Sequence, residues 1–146
     1  MHDAVPETDF VIINPGGLRT QWYPGVIQYQ HLYNMFPFTN YLISFDITGA
    51  ELMQMLAVVQ AGPLGFYPMF GVTQVVGIDR QNNHRFISAT LADGSPIDPE
   101  KTYRGLTIDF LINGGDDFNK VINKTYTPRN TIKHEGVIRD IIRKPL

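Results

Sequence analysis

The chain has 146 residues, 43% hydrophobic and 18% charged, which is enough apolar material for one core and too little charge for a disordered chain. Twelve Lys and Arg against fourteen Asp and Glu give a formal net charge of −2, without the basic excess that binding to a nucleic-acid backbone requires. No apolar run reaches the roughly 20 residues of a bilayer span and the first residues lack a signal-peptide pattern, while the absence of cysteine excludes disulfides, Cys-ligated zinc and thiol catalysis.

In chain order, Asp9 to Ile13 is a short apolar, β-branched run that stops at Asn14-Pro15-Gly16-Gly17, which reads as a buried strand ending in a tight turn. Leu32, Met35 and Phe36 have helical spacing within Tyr29 to Phe36, and Pro37 ends that short helix. Tyr41 to Ile47 alternates as a strand, and Thr48-Gly49-Ala50-Glu51 has the spacing of a capping box. The helix it opens carries Leu52, Met53, Met55, Leu56 and Val59 on a wide apolar face and ends near Ala61-Gly62-Pro63. Val72 to Asp79 and Arg85 to Leu91 flank a polar connection of hairpin length and are expected to pair. The turn formers of Asp93 to Pro99 precede a strand over Thr102 to Ile108. The glycine pair of Asn113-Gly114-Gly115-Asp116 comes after a β-like Phe110-Leu111-Ile112, and Glu135 to Lys144 reads as a closing helix. Strands and helices mix without βαβ alternation, and nothing divides the chain. The expectation is one α+β domain over residues 1–146, a mixed β-sheet with packed helices.

Two features point to a ligand. Each glycine pair, Gly16-Gly17 and Gly114-Gly115, sits between an apolar run and a polar residue, where glycine lets backbone approach a ligand or simply makes a turn. Neither matches a P-loop or a dinucleotide fingerprint. Phe36-Pro37-Phe38 and Phe110 lie beside polar loop residues, where a planar base could stack, although core packing of a phenylalanine is worth a comparable energy. For catalysis the chain is poor. His2, His31, His84 and His134 are scattered, Asp116-Asp117 are loop neighbours, and no metal-ligand or nucleophile motif occurs. Asn123-Lys124-Thr125 has glycosylation spacing.

Taken in order, Asp9-Phe10-Val11-Ile12-Ile13-Asn14-Pro15-Gly16-Gly17-Leu18-Arg19, Met35-Phe36-Pro37-Phe38-Thr39-Asn40, Thr48-Gly49-Ala50-Glu51-Leu52, Asp98-Pro99-Glu100-Lys101-Thr102-Tyr103 and Asp109-Phe110-Leu111-Ile112-Asn113-Gly114-Gly115-Asp116 resemble the C-terminal domain of the 5′-nucleotidase family. Gly65-Phe66-Tyr67-Pro68-Met69-Phe70 looks like the bacterial periplasmic, UDP-sugar-hydrolysing branch, and the last quarter of the chain adds little to the resemblance. The resemblance implies a domain that holds the nucleoside or nucleotide, while a separate metallophosphoesterase domain, in the same or a partner chain, cleaves the 5′-phosphate with a divalent metal pair. It implies that Phe38 and Phe110 sandwich the base, that Asn14 and Asn40 reach its edge, that Asp116 takes the ribose hydroxyls, and that Arg19 lies near the phosphate beside Gly16 and Gly17. No catalytic residue, metal ligand or cofactor is expected in these 146 residues, so the chain alone should be inactive. A periplasmic or extracellular location is implied in the same way. Three departures stand out: Pro15 removes a backbone donor from the glycine loop, Asp117 adds a charge beside the ribose contact, and the helix with a further arginine that precedes the first strand in the family is expected to be missing from these residues, leaving the phosphate site incomplete. The competing reading is a stand-alone nucleoside-binding or interaction module without catalysis.

Overall fold

The computed structural model describes residues 5–21, 23–61, 67–118 and 132–143. Within them the chain forms β1 (Phe10–Ile12), α1 (Tyr29–Met35), β2 (Tyr41–Thr48), α2 (Gly49–Ala61), β3 (Met69–Phe70), β4 (Val72–Ile78), β5 (His84–Leu91), β6 (Thr102–Ile108), α3 (Asp109–Ile112), β7 (Lys133–Val137) and α4 (Ile138–Arg143). Five strands make one mixed sheet in the order β3-β1-β6-β2-β7, and β4 and β5 form a separate hairpin. Within the sheet β1 runs parallel to β6, and the other neighbours are antiparallel. The class is α+β, as the sequence indicates.

Buried apolar side chains line both faces of the sheet. Phe10 of β1 and Phe45 of β2 meet edge to face, 5.9 Å apart at 89°, across Gly105 of β6. A Cβ at Gly105 would stand 2.5 Å from the Phe10 ring and 2.7 Å from the Phe45 ring, so only glycine lets the two rings close over the central strand. Leu52, Met55, Leu56 and Val59 of α2 are buried in the same core. The capping box starts that helix: the Thr48 N–H and hydroxyl both donate to Glu51, and the Glu51 N–H donates back to Thr48 Oγ1. These bonds serve donors that the first turn of a helix otherwise leaves without partners.

The face opposite the Phe10 and Phe45 rings holds a polar chain across three strands. The register sets Asp46 opposite Arg104 and Ser44 opposite Leu106, so Arg104 reaches Asp46 at 2.9 Å and the Ser44 hydroxyl at 3.0 Å. Ser44 in turn donates to Glu135, which pairs with Lys133 at 3.0 Å. Burial pushes the Glu135 carboxyl up. The Ser44 hydroxyl, with Lys133 and Arg104, outweighs that penalty and holds it below the ordinary glutamate value.

Three local readings are corrected. Glu135 to Val137, expected in the closing helix, are the end of β7, because β2 offers them an open edge; α4 begins only at Ile138. The β2–β7 pairing shifts register between Leu42 and Ile43, and Gly136 accepts a φ of +126° there, a backbone shape suited to glycine. The β-like Phe110–Ile112 is a helical turn, α3, and the two-residue strand β3 has no counterpart among the expected elements. Gly62, Pro63, Gly65, Phe66 and the Asn123-Lys124-Thr125 motif lie outside the described residues.

Gly105→Ala should overpack the ring contact and lower stability by about 1–3 kcal/mol or more, read as a fall in the thermal midpoint. The depressed Glu135 pKa stabilises the fold fully above the unfolded value of about 4.3, and this contribution is lost as pH falls through the lower folded value. Glu135→Gln should therefore be less stable at neutral pH and lose less stability on acidification, as thermal midpoints between about pH 7 and pH 3 would register.

Candidate functional site

Strand pairing decides where the site can be. Phe10 of β1 lies beside Gly105 and Val11 beside Leu106 in parallel register, while Leu42 of β2 faces Ile108 in antiparallel register. The chain leaving β1, the chain leaving β6 and the chain entering β2 therefore meet at one end of the three central strands. Those three segments carry Asn14 to Arg19, Phe110 to Asp116, and Phe38 with Asn40.

All eight residues singled out in the sequence, Asn14, Gly16, Gly17, Arg19, Phe38, Asn40, Phe110 and Asp116, line a single cavity of about 220 Å³ there. The chain after β1 turns through a short 3-10 segment, Pro15–Gly17, closed by a bond from the Gly17 N–H to the Asn14 carbonyl at 3.0 Å. Asn14 is buried, and its Nδ2 donates to the Asp116 carboxylate at 2.7 Å. Its Oδ1 is buried and has no hydrogen-bond partner among the described residues. A Cβ at Gly17 would lie 2.9 Å from that oxygen, so the glycine keeps the space beside the amide clear.

The second glycine pair works differently. Gly114 takes a φ of +97° and Asp116 one of +52°, the left-handed region that glycine enters freely and aspartate tolerates better than most residues. This double reversal turns the Asp116 carboxylate back to Asn14, and the Tyr67 hydroxyl donates to the Asp116 carbonyl at 3.3 Å. Between the two residues, Gly115 lies under the Phe110 ring: a Cβ there would stand 2.4 Å from its carbons. The Asp117 side chain lies outside the described residues. At the start of α3, Asp109 accepts the N–H groups of Phe110 at 2.9 Å and Tyr41 at 3.1 Å, tying α3 to the first residue of β2.

Phe38 and Phe110 are 47% and 42% exposed, so both rings are open to solvent at the cavity rather than sunk in the core. The Arg19 guanidinium sits 5.2 Å from the Phe38 ring centre, and the Arg19 N–H donates to the Met35 carbonyl at 3.1 Å. Arg19 and Asp116 thus supply one positive and one negative group to the same cavity. Sequence reasoning missed Tyr67, Asp109 and Arg139, whose guanidinium donates to the carbonyls of Phe36 and Pro37.

Among the described residues no group of three or more His, Cys, Asp or Glu side chains is placed to hold a metal ion. His31 accepts the Gln28 N–H at the start of α1, and His134 packs against Tyr41. No helix among the described residues is long and apolar enough to cross a membrane.

A family model described as "5′-nucleotidase, C-terminal domain" matches residues 3–123. The chain belongs to this family. It is 36% identical to protein UshA of Escherichia coli strain K12 over 118 residues, which is 80% of this chain and 20% of UshA. Among solved structures, a 5′-nucleotidase precursor from Thermus thermophilus superposes with a TM-score of 0.75 at 25% identity, covering 94% of this chain and 28% of that one. An NAD nucleotidase from Haemophilus influenzae superposes at 0.67 and 26% identity, covering 92% of this chain and 25% of its own. The chain therefore spans 20% to 28% of the length of these three relatives, and the sheet that frames the cavity is the fold shared with the family.

Gly115→Ala should drive the Phe110 ring off its seat. Because that ring is partly exposed whereas the rings over Gly105 are buried, the thermal midpoint should fall less than in Gly105→Ala, while the Phe110 ring resonances in an NMR spectrum shift strongly. Unchanged ring resonances would contradict the close approach.

Proposed function

We propose that this chain is the substrate-binding domain of a 5′-nucleotidase, holding a nucleoside 5′-phosphate for cleavage by a separate metallophosphoesterase domain. The observation that carries the reading is the convergence of two exposed phenylalanines, a paired asparagine and aspartate, and one arginine on one cavity. Two aromatic rings suit the faces of a planar base. The Asp116 carboxylate suits the hydroxyl donors of a ribose, and the Arg19 guanidinium suits phosphate oxygens.

Asn14 sharpens the proposal. One N–H of its amide is committed to Asp116, which leaves the second N–H and the buried acceptor Oδ1 for a ligand. A buried acceptor without a donor costs about 1–3 kcal/mol, and an N–H or O–H on the ligand would recover it. Asn14 then accepts a hydrogen bond from the ligand and keeps Asp116 in place. Asn40 is left to read the base edge. Ligand sites usually enclose about 300–1,000 Å³, and the smaller cavity here suits a nucleoside whose phosphate projects toward another domain.

The described residues offer no ligand set for the metal pair of the family's chemistry, so no step of the cleavage is assigned to them. On this reading residues 1–146 form one binding domain, the catalytic domain is its partner, and the work takes place in the periplasm or outside the cell.

Isothermal titration of the chain with adenosine and with AMP tests the reading. Dissociation constants on the order of 0.1–1 mM, or about −4 to −5.5 kcal/mol, are expected for both ligands and should be lost in Phe110→Ala. Absence of binding at millimolar concentration, or binding that survives Phe110→Ala, would overturn it.

A further inference from the structure

The segment from Phe36 to Asn40 carries two lining residues of the cavity, yet it has no regular structure of its own. It leaves α1 at Phe36 and passes through Pro37, which has no N–H to donate. Its carbonyls therefore need donors from elsewhere. Those donors come from two consecutive residues at the start of α4. The Ile138 N–H donates to the Asn40 carbonyl at 3.0 Å. The Arg139 guanidinium donates through Nη1 to the carbonyls of Phe36 at 3.2 Å and Pro37 at 3.1 Å, and through Nη2 to the Thr39 hydroxyl at 3.1 Å. Four of the five residues in the segment are held in this way, and the fifth is Phe38, whose ring lines the cavity.

The hold extends to the helix before the segment. Arg139 lies over the Tyr33 ring, 4.7 Å from its centre, and Arg143 lies over Tyr29 at 5.3 Å. Both pairs are spaced by four residues, so one face of α4 matches one face of α1. Ile138 beside them is buried, which fixes the start of α4 against the core. The planar guanidinium can serve three acceptors in fixed directions while stacking on a ring, a combination open to no other side chain.

We propose that Arg139 is a positioning residue for the nucleoside cavity: it fixes the Phe36–Asn40 segment so that the Phe38 ring stands ready to stack on a base. The inference rests on the nucleotide-binding reading for its functional consequence, but the hold on the segment is measurable without a ligand. Arg139→Met keeps the apolar stem and removes every donor. In the full chain, the backbone 15N relaxation of Phe38, Thr39 and Asn40 should report looser motion in this variant, with β6 unchanged. Adenosine affinity should fall about tenfold or more, as the loss of hydrogen bonds to a charged group implies. In a Phe38→Ala background the same substitution should cost clearly less adenosine affinity, because the ring it positions is gone and only Asn40 of the segment still lines the cavity.

An equal loss of affinity in both backgrounds, or unchanged order at Phe38 to Asn40 in Arg139→Met, would overturn the proposal. A wild-type chain that binds neither adenosine nor AMP would overturn the nucleotide reading alone. The relaxation comparison then decides the role of Arg139: looser motion confined to the segment supports it, and unchanged order overturns it.

Discussion

The parallel pairing of β1 with β6 is the constraint on which the site depends. Antiparallel hairpins can be closed locally, whereas two parallel neighbours must be joined by a long crossover. Here the crossover holds α1, β2, α2, β3 and the β4–β5 hairpin. That arrangement brings the outgoing ends of two strands distant in sequence to the same end of the sheet, and β2, running the other way, adds its incoming end. Gly105 makes the pairing compact, since the Phe10 and Phe45 rings close over it. On the other face, the chain of polar side chains from Asp46 to Lys133 fastens β7 to the same strands.

The two glycine pairs look alike in sequence and serve different physical ends. Gly16 and Gly17 sit in a 3-10 turn, and neither takes a positive φ; what matters at Gly17 is the space beside the Asn14 amide. Gly114 is required by its φ, and Gly115 by the ring lying on it. Between the pairs, the Asn14 to Asp116 bond joins residues 102 positions apart. One loop thereby orients the charged group of the other, and the cavity behaves as a unit rather than as separate turns.

Legibility in the sequence depends on how local each signal is. The capping box of α2, the stretches that pair as β4 and β5, and the alternation of β2 are written within a few residues of where they act. Glu135 to Val137 mislead because Val137, Ile138, Ile141 and Ile142 keep helical spacing, and only the open edge of β2 decides that the first part pairs instead. Phe110 to Ile112 mislead in the opposite sense: an apolar run too short to show a period becomes a strand or a helical turn according to its neighbours, and here Asp109 starts a helical turn by accepting the Phe110 N–H on its side chain and the Asn113 N–H on its carbonyl. The lining residues are found through motifs of turn chemistry and exposed aromatics. Arg139 is not, because its signal is a match between two tyrosines and two arginines a hundred or so positions away, with no meaning until α1 and α4 are side by side.

That separation has a consequence for the order in which the molecule is made. The acceptors of Phe36, Pro37 and Thr39 lie 103, 102 and 100 positions before the donors that hold them. A chain emerging from the ribosome can form the capping box of α2 and the β4–β5 hairpin early, since both are local. The segment that carries Phe38 waits for α4, after every other lining residue has been synthesised. The Phe38 side of the cavity therefore takes its held form only after α4 has been made, however early the local elements form.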